Sequence, residues 1–503
     1  MTNYFIKLFH VVMIFTQLGC VAANFDHPFD GVKGLLTNQF LGQLARSVPK
    51  PSITVRVGTV EYKNGDTIEI KGTKSNVDYP AELTIVNNSG TNLNLTAGTQ
   101  KTIISGTNAS SFTSTNPSLF TLIPGNSTSF TVNFKTNVLG DKVAELSIPN
   151  DDLTNSNFKL NLKGVFEPKE TFVGSYTLNE ERRNSTTFSD SQGRVFIFGG
   201  MNIQLKTPNF EVFNSETKVI QKIVTSFHPD DSHSSVNLQN DRILISGGVI
   251  LNASSTSSGA YLIDMVNTNL VSVGSLKSNR SGHSSTLLNN GKVLIVGGAN
   301  GINTVTCSAE IFDPNLNTFT STGNCSQPRL GHASILLRDG KVLIVGGLGS
   351  EQLKLNSAEL YDPTTGNFSS VGNMNVTRYK PTLNLLANGN VLVIGGSGSG
   401  GELKSTEIYN VISKVFTMHT ELNTTRYYHT STTLNNGKIL VVGGYDNSAS
   451  AEIYDPENMK FQLLNLNFSR AEHGAVLLPN GKVAIIGGKY NTPGTKIIDI
   501  FYP

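Results

Sequence analysis

Tryptophan is absent from the 503 residues, cysteine occurs three times, and charged side chains make up only 15%, well under the usual quarter. So few cysteines in so long a chain exclude a disulfide-stapled miniprotein. Lys and Arg number 39 against 37 Asp and Glu, for a formal charge of +2. No clustered basic face results, which excludes nucleic acid as a partner. The apolar run Leu8 to Phe15 is too short to span a bilayer. What is abundant is 48 Gly, 26 Phe and 14 Tyr with many Ser, Thr and Asn, the composition of a turn-rich all-β chain. At roughly 100–200 residues per domain, two or three domains are expected.

Lys7 precedes that apolar run and Gln17-Leu18-Gly19-Cys20 follows it, so residues 1–19 read as a signal peptide. The segment resembles a bacterial lipobox, although Leu18 stands two rather than three places before the cysteine. The resemblance implies cleavage ahead of Cys20 and its lipidation, with acyl chains contributing roughly 0.8 kcal/mol per buried CH₂ at a membrane. An ordinary secretory signal cleaved at Ala22-Ala23 is the alternative. Both readings export the chain, and the first anchors it in a bacterial cell envelope, at the outer membrane or cell surface. Setting Cys20 aside leaves Cys307 and Cys325, a pair that an oxidising compartment favours as a disulfide over two free buried thiols. If Asp313 faces Phe319 across the Pro314 turn, the two cysteines face each other too.

Residues 20–51 form a tether in which Val32, Leu35, Leu36, Phe40, Leu41 and Leu44 fall at helical spacing, ending at Pro49 and Pro51. From 52 to 166, short alternating strands such as Ala81–Val86, Ser129–Phe134 and Phe158–Leu162 are separated by turn residues. About seven of them fit an immunoglobulin-like β-sandwich. The stretches N-N-S-G (87–90), L-I-P-G-N-S-T-S-F-T-V-N-F (122–134), L-G-D-K-V-A-E-L-S-I-P-N-D-D (139–152) and F-K-L-N-L-K-G (158–164) resemble choice-of-anchor D domains, relatives of the ASPM/SPD-2/hydin sandwich. The resemblance implies a spacer without catalytic residues. The N-D-D at 150–152 lacks the further acids of a calcium loop and reads as a turn.

Residues 167–503 contain a repeat. Gly-Gly pairs close an apolar strand at 199–200, 247–248, 297–298, 346–347, 395–396, 443–444 and 487–488, giving seven units. The clearest runs R-S-G-H-S-S-T-L-L-N-N-G-K-V-L-I-V-G-G (280–298), S-A-E-I-F-D-P (308–314), T-F-T-S-T-G (318–323). Each unit holds four short strands with an Asn-Gly or Asp-Gly hairpin and an Asp-Pro turn. One such sheet cannot bury both faces alone, whereas seven packed radially can, so a seven-bladed β-propeller is predicted. The motifs resemble kelch repeats of the type found in galactose oxidase, with Phe319, Phe368, Phe416 and Phe461 where kelch repeats carry tryptophan. The last unit stops before its fourth strand, and Thr171–Leu178 is predicted to supply it, pairing near 172–177 with 497–502.

Arg182, Arg280, Arg329, Arg378, Arg426 and Arg470 recur ahead of Gly-Gly, and His233, His283, His332, His429 and His473 sit fourteen residues before it. Equivalent positions in different blades lie around a wide circle, while a metal needs ligands within about 2.0–2.3 Å of one ion. One structural hydrogen bond per blade is the expectation, with no metal and no cofactor. Galactose oxidase-like enzymes need copper held by tyrosines and histidines and a Tyr–Cys cross-link, and nothing in the repeats marks that set. No P-loop, G-x-S-x-G elbow or H-E-x-x-H occurs, so no catalytic residue is assigned. Gly396, Gly398 and Gly401 satisfy G-x-G-x-x-G but lead into a strand, and read as a flexible loop. The segments after each Gly-Gly pair, rich in Gly, Ser and Asn, should emerge on one face as a recognition surface. Tyr379, Tyr427 and Tyr428, beside Arg378 and Arg426, are the candidate ligand contacts; packing over the neighbouring blade is the other reading. The expectation is a monomeric lipoprotein whose propeller binds a protein or glycan, with a carbohydrate-active enzyme acting at the propeller axis as the alternative.

Overall fold

The computed structural model describes residues 52–503 apart from 75, 137, 202–209, 224–231, 239–240, 251–254, 302–303, 446–448 and 490–494. The signal peptide, Cys20 and the tether therefore lie outside the described residues. The chain divides into two compact units, Met1–Glu167 and Pro168–Pro503.

In the first unit the alternation of apolar and polar residues becomes two facing sheets. One has five strands, including Ile53–Val57, Tyr79–Asn87 and Ser127–Phe134; the other has four, including Thr67–Gly72, Lys142–Pro149 and Asn157–Phe166. Ser127–Phe134 buries every second residue, as a strand with one face on a core must. The sheets meet where the Phe134 ring lies on Gly164; a Cβ there would collide with the ring. Asp152 is fully buried and accepts hydrogen bonds from the Ile53 and Thr154 amides at 3.2 and 2.8 Å. The N-D-D segment thus plugs a turn and ties down the first strand.

The second unit contains seven four-stranded antiparallel sheets among the described residues. Sheets one to seven are named here by their first strands: Thr186–Ser189, Ser234–Asn237, Ser284–Leu287, Ala333–Leu336, Thr382–Leu385, Thr430–Thr433 and Gly474–Leu477. These first strands neighbour one another, and sheet seven returns to sheet one. The second strands, such as Val293–Val296 and Val342–Val345, are wholly buried, since each side packs on a different neighbour. Val293 and Ile295 meet sheet two, while Leu294 and Val296 meet sheet four. Seven such cores separate the seven sheets, the last joining Ile486 and Ile498 of sheet seven to Val195 and Ile197 of sheet one.

Thr171–Thr177 forms the outer strand of sheet seven, pairing Thr171 with Tyr502 and Thr177 with Ile497. Thr171–Thr177 thereby covers the outer edge of Ile497–Tyr502. Phe319 stacks on Phe312, Phe368 on Tyr361, Phe416 on Tyr409 and Phe461 on Tyr454, at 4.7–4.9 Å. One register differs from expectation: Asp313 faces Thr318 and Phe312 faces Phe319. Cys307 and Cys325 lie outside the paired strands and form a disulfide with Cα atoms 5.2 Å apart. The G-x-G-x-x-G segment differs as well. It is a tight hairpin, Ser397 paired with Glu402 and Gly398 with Gly401, because Gly401 at φ 118° turns the chain where a side chain would not.

Candidate functional site

The recurrent arginines point inward. All six are fully buried, and each is paired with an acid on the third strand of its own sheet. Arg280–Glu310 lies at 2.6 Å, Arg329–Glu359 at 2.8 Å, Arg378–Glu407 and Arg426–Glu452 at 3.0 Å and Arg182–Glu211 at 3.2 Å; Arg470 meets Asp499. Nη1 of each arginine also donates to the carbonyl of the first Gly of its pair, as Arg329 does to Gly346 at 2.8 Å. The arginine's own carbonyl accepts the N–H of the second Gly in the preceding sheet: Gly248 to Arg280, Gly298 to Arg329, and Gly488 round to Arg182, at 2.8–2.9 Å. One side chain therefore rivets its sheet while its backbone joins two sheets. This explains the glycine pair. Gly298 has φ 97°, and a Cβ there would lie 2.7 Å from the Ser281 carbonyl oxygen. Burial pulls the Arg378 guanidinium below its ordinary pKa, and Glu407 opposes the shift.

Each repeat histidine makes one bond to the preceding sheet: His332 Nε2 lies 2.8 Å from Ser284 Oγ, His429 3.0 Å from Thr382 Oγ1 and His473 2.8 Å from Thr430 Oγ1. Burial, with the neighbouring arginine second, lowers His332 and His429 to about 3. They are neutral near pH 7.

Two residues after each arginine position the backbone turns left-handed in all seven sheets: Asn184, Ser232, Gly282, Gly331, Lys380, Tyr428 and Glu472 have φ between 52° and 62°. Gly282 donates to the Ser232 carbonyl, Gly331 to Gly282, Lys380 to Gly331, Glu472 to Tyr428 and Asn184 to Glu472, at 2.8–3.1 Å. These backbone links run from Ser232 to Lys380 and from Tyr428 to Asn184, crowning the first strands at the end where the Gly-Gly segments emerge. Glycine meets this geometry without strain in two sheets. Elsewhere side chains accept it, at about 1 kcal/mol or more each, and the bulky ones are contiguous in sheets five, six and seven.

Tyrosines gather there. The ring of Tyr427 lies 4.7 Å from Tyr428 and 5.2 Å from Tyr445, and Tyr379 stands edge-on to Tyr428 at 6.4 Å. Tyr445 donates to Glu472 at 2.8 Å, and Glu472 also holds Arg183 at 3.3 Å and Lys489 at 3.4 Å. Lys489 stands over Tyr445 and Lys380 over Tyr428. Burial and the neighbouring tyrosine and glutamate raise the Tyr428 hydroxyl's pKa, so it stays protonated. In the neighbouring sheets three and four the same positions carry Ser281, Gly282, Leu330 and Gly331, and the Tyr379 ring lies over Gly331.

The structure brings Tyr379, Tyr427 and Tyr428 together, half-buried. It removes Arg378 and Arg426 from the contact set, because their guanidinium groups are buried and consumed by Glu407 and Glu452. Tyr445, Glu472, Lys380 and Lys489 were not legible as site residues, nor were the third-strand acids. A signal existed for both: Gly282 and Gly331 at one repeat phase mark the left-handed position, and S-A-E recurs at 308–310, 357–359 and 450–452.

Among the described residues no three His, Cys, Asp or Glu side chains gather to hold a metal ion. A fungal alcohol oxidase of the AA5 family, solved in complex with copper, is similar with a TM-score of 0.56 at 15% identity, over 66% of this chain and 76% of its own. At that identity the likeness shows the fold alone. YjhT is similar at a TM-score of 0.46 and 14% identity, over 57% of this chain and 99% of its own. No curated protein sequence matches. The family described as Attractin/LZTR1 beta-propeller matches residues 195–453, just over half of the chain, from the second strand of sheet one to the third strand of sheet six. By that match, together with its ring of four-stranded sheets, the chain belongs to the Attractin/LZTR1 beta-propeller family.

Proposed function

We propose that the protein is an exported, lipid-anchored envelope protein in which an immunoglobulin-like sandwich of the choice-of-anchor D kind holds a seven-bladed propeller that binds a protein or glycan. The observation that carries the binding reading is the asymmetry of the ring. Left-handed Lys380, Tyr428 and Glu472 and four tyrosines occupy the consecutive sheets five, six and seven, whereas Gly282 and Gly331 hold the left-handed positions of sheets three and four. Strain concentrated beside half-buried aromatic and charged groups marks a recognition site, and tyrosines supply contact area at low entropic cost.

Lipid anchoring rests on Cys20. Replacing it with Ala should move the chain from the membrane fraction to a soluble exported fraction; unchanged partition would contradict the anchor. For the binding reading, the full chain should bind at least one member of an array of saccharides and purified envelope proteins. Tyr427→Ala should abolish that binding without lowering the melting temperature by more than a few degrees. Binding unaffected by Tyr427→Ala would place recognition elsewhere.

A further inference from the structure

Resting on the binding reading above, the charges at the ring decide what class of ligand the site takes. Glu472 is matched by both Arg183 and Lys489. Two further lysines have no carboxylate within ion-pair distance among the described residues. Lys354 donates to Ser397 Oγ and the Gly398 carbonyl, both at 2.7 Å. Lys380 stands 5.4 Å from the centre of the Tyr428 ring. Ser397, which the Lys354 ammonium reaches, exchanges backbone hydrogen bonds with Tyr379, the residue before Lys380. Lys380 is held there in left-handed backbone at φ 55°, where sheets three and four use glycine.

Hydroxyl groups adjoin the lysines. Thr377 Oγ1 and Ser399 Oγ lie 3.0 Å apart on the exposed surface, and the Ser399 amide donates to Thr377 Oγ1 at 3.0 Å. The site therefore offers aromatic faces, hydroxyl donors and acceptors, and four cations, Arg183, Lys354, Lys380 and Lys489, against two acids, Glu472 and Glu402, the latter paired with Ser397 across its hairpin. Protein-binding patches centre on apolar side chains, and here one large apolar side chain, Leu353 beside Lys354, is strongly exposed among tyrosines, hydroxyls and ammonium groups. Hydroxyls and tyrosine faces suit sugar rings, while unpaired ammonium groups suit carboxylates.

We infer that the half-ring of Lys380, Lys354, Tyr379, Tyr427 and Tyr428 binds an acidic, uronate-bearing polysaccharide, its carboxylates meeting the two lysines and its sugar rings the tyrosines. Lys380 keeps its strained backbone because a glycine there would remove the ammonium group.

Affinity electrophoresis of the full chain in detergent tests this, with gels holding polygalacturonate or its methyl ester. The acid form should bind about tenfold or more tightly than the ester, the value of one charge-assisted hydrogen bond. Lys380→Gly should lose about that factor with no fall in melting temperature. Lys380→Ala should lose as much and melt below the glycine variant, since its Cβ keeps the left-handed strain. Lys354→Ala should weaken the acid form alone. Equal binding of the ester would overturn the acidic class; if that binding vanished in Tyr427→Ala, the binding face itself would stand. Displacement by polyglutamate as effective as by oligogalacturonate would overturn it in favour of an acidic protein. Absence of retention by either polysaccharide would also overturn it, and the array separates that result from failure of the face to bind anything.

Discussion

At the residue scale the propeller is built from buried polar groups used in a fixed pattern. Removing one partner of such an ion pair leaves an uncompensated charge and costs about 3–5 kcal/mol, so each arginine and its acid are retained or lost together. The histidines add a pH dependence whose direction follows from their burial. In the unfolded chain a histidine takes its proton near pH 6.5; in the native ring His332 and His429 do so only at about 3, and His283 and His473 lie well below the ordinary value. Between those limits the unfolded state binds more protons, so stability is full above pH 6.5 and falls on acidification. The window from pH 6.5 to 5 lies above the carboxylate range and isolates the histidines. The melting temperature should fall across it, and should fall less in His332→Gln, where an amide still reaches Ser284. An unchanged slope in that variant would mean His332 is charged in the native state.

At the element scale, sheet two is the exception. Asp230 stands seventeen residues before Gly247, where other sheets carry arginine, and Tyr261 occupies the place of Glu310; residue 230 lies outside the described residues. Both members of the rivet are missing from the same sheet. Tyr261→Glu alone should destabilise, and adding Asp230→Arg should recover part of that, with a coupling on the order of 0.5–3 kcal/mol in denaturant melts. Strictly additive effects would contradict the pairing rule. The sheets themselves were legible because Gly-Gly, Asn-Gly and Asp-Pro mark strand ends at fixed spacing, and the orphan strand Thr171–Thr177 was legible because it matches the fourth strands in sequence. The register at Asp313 was not, because the Pro314 turn alone does not set it: a one-residue slip would bring Phe319 to face Asp313, and the pairing of Phe312 with Phe319 keeps both rings on the buried face. Nor was the burial of Arg378, because a cation at a fixed phase reads the same whether its partner is solvent or an acid thirty residues on.

At the scale of the whole molecule, the ring of seven sheets makes two ends. The first strands begin, and the Gly-Gly segments emerge, at one; the Asn-Gly hairpins, such as Asn436-Gly437, turn at the other. Tyr379 belongs to the first end and Asn436 to the second. Recognition placed at the tyrosine end therefore has a direct test, because a covalent trap at either end reports which of the two faces meets a ligand. A photo-reactive residue at 379 in the full chain, irradiated in intact producing cells, should give a single defined adduct that polygalacturonate fragments suppress, and the same residue at 436 should give none. Adducts formed equally at both positions, or only at 436, would contradict binding at the tyrosine end.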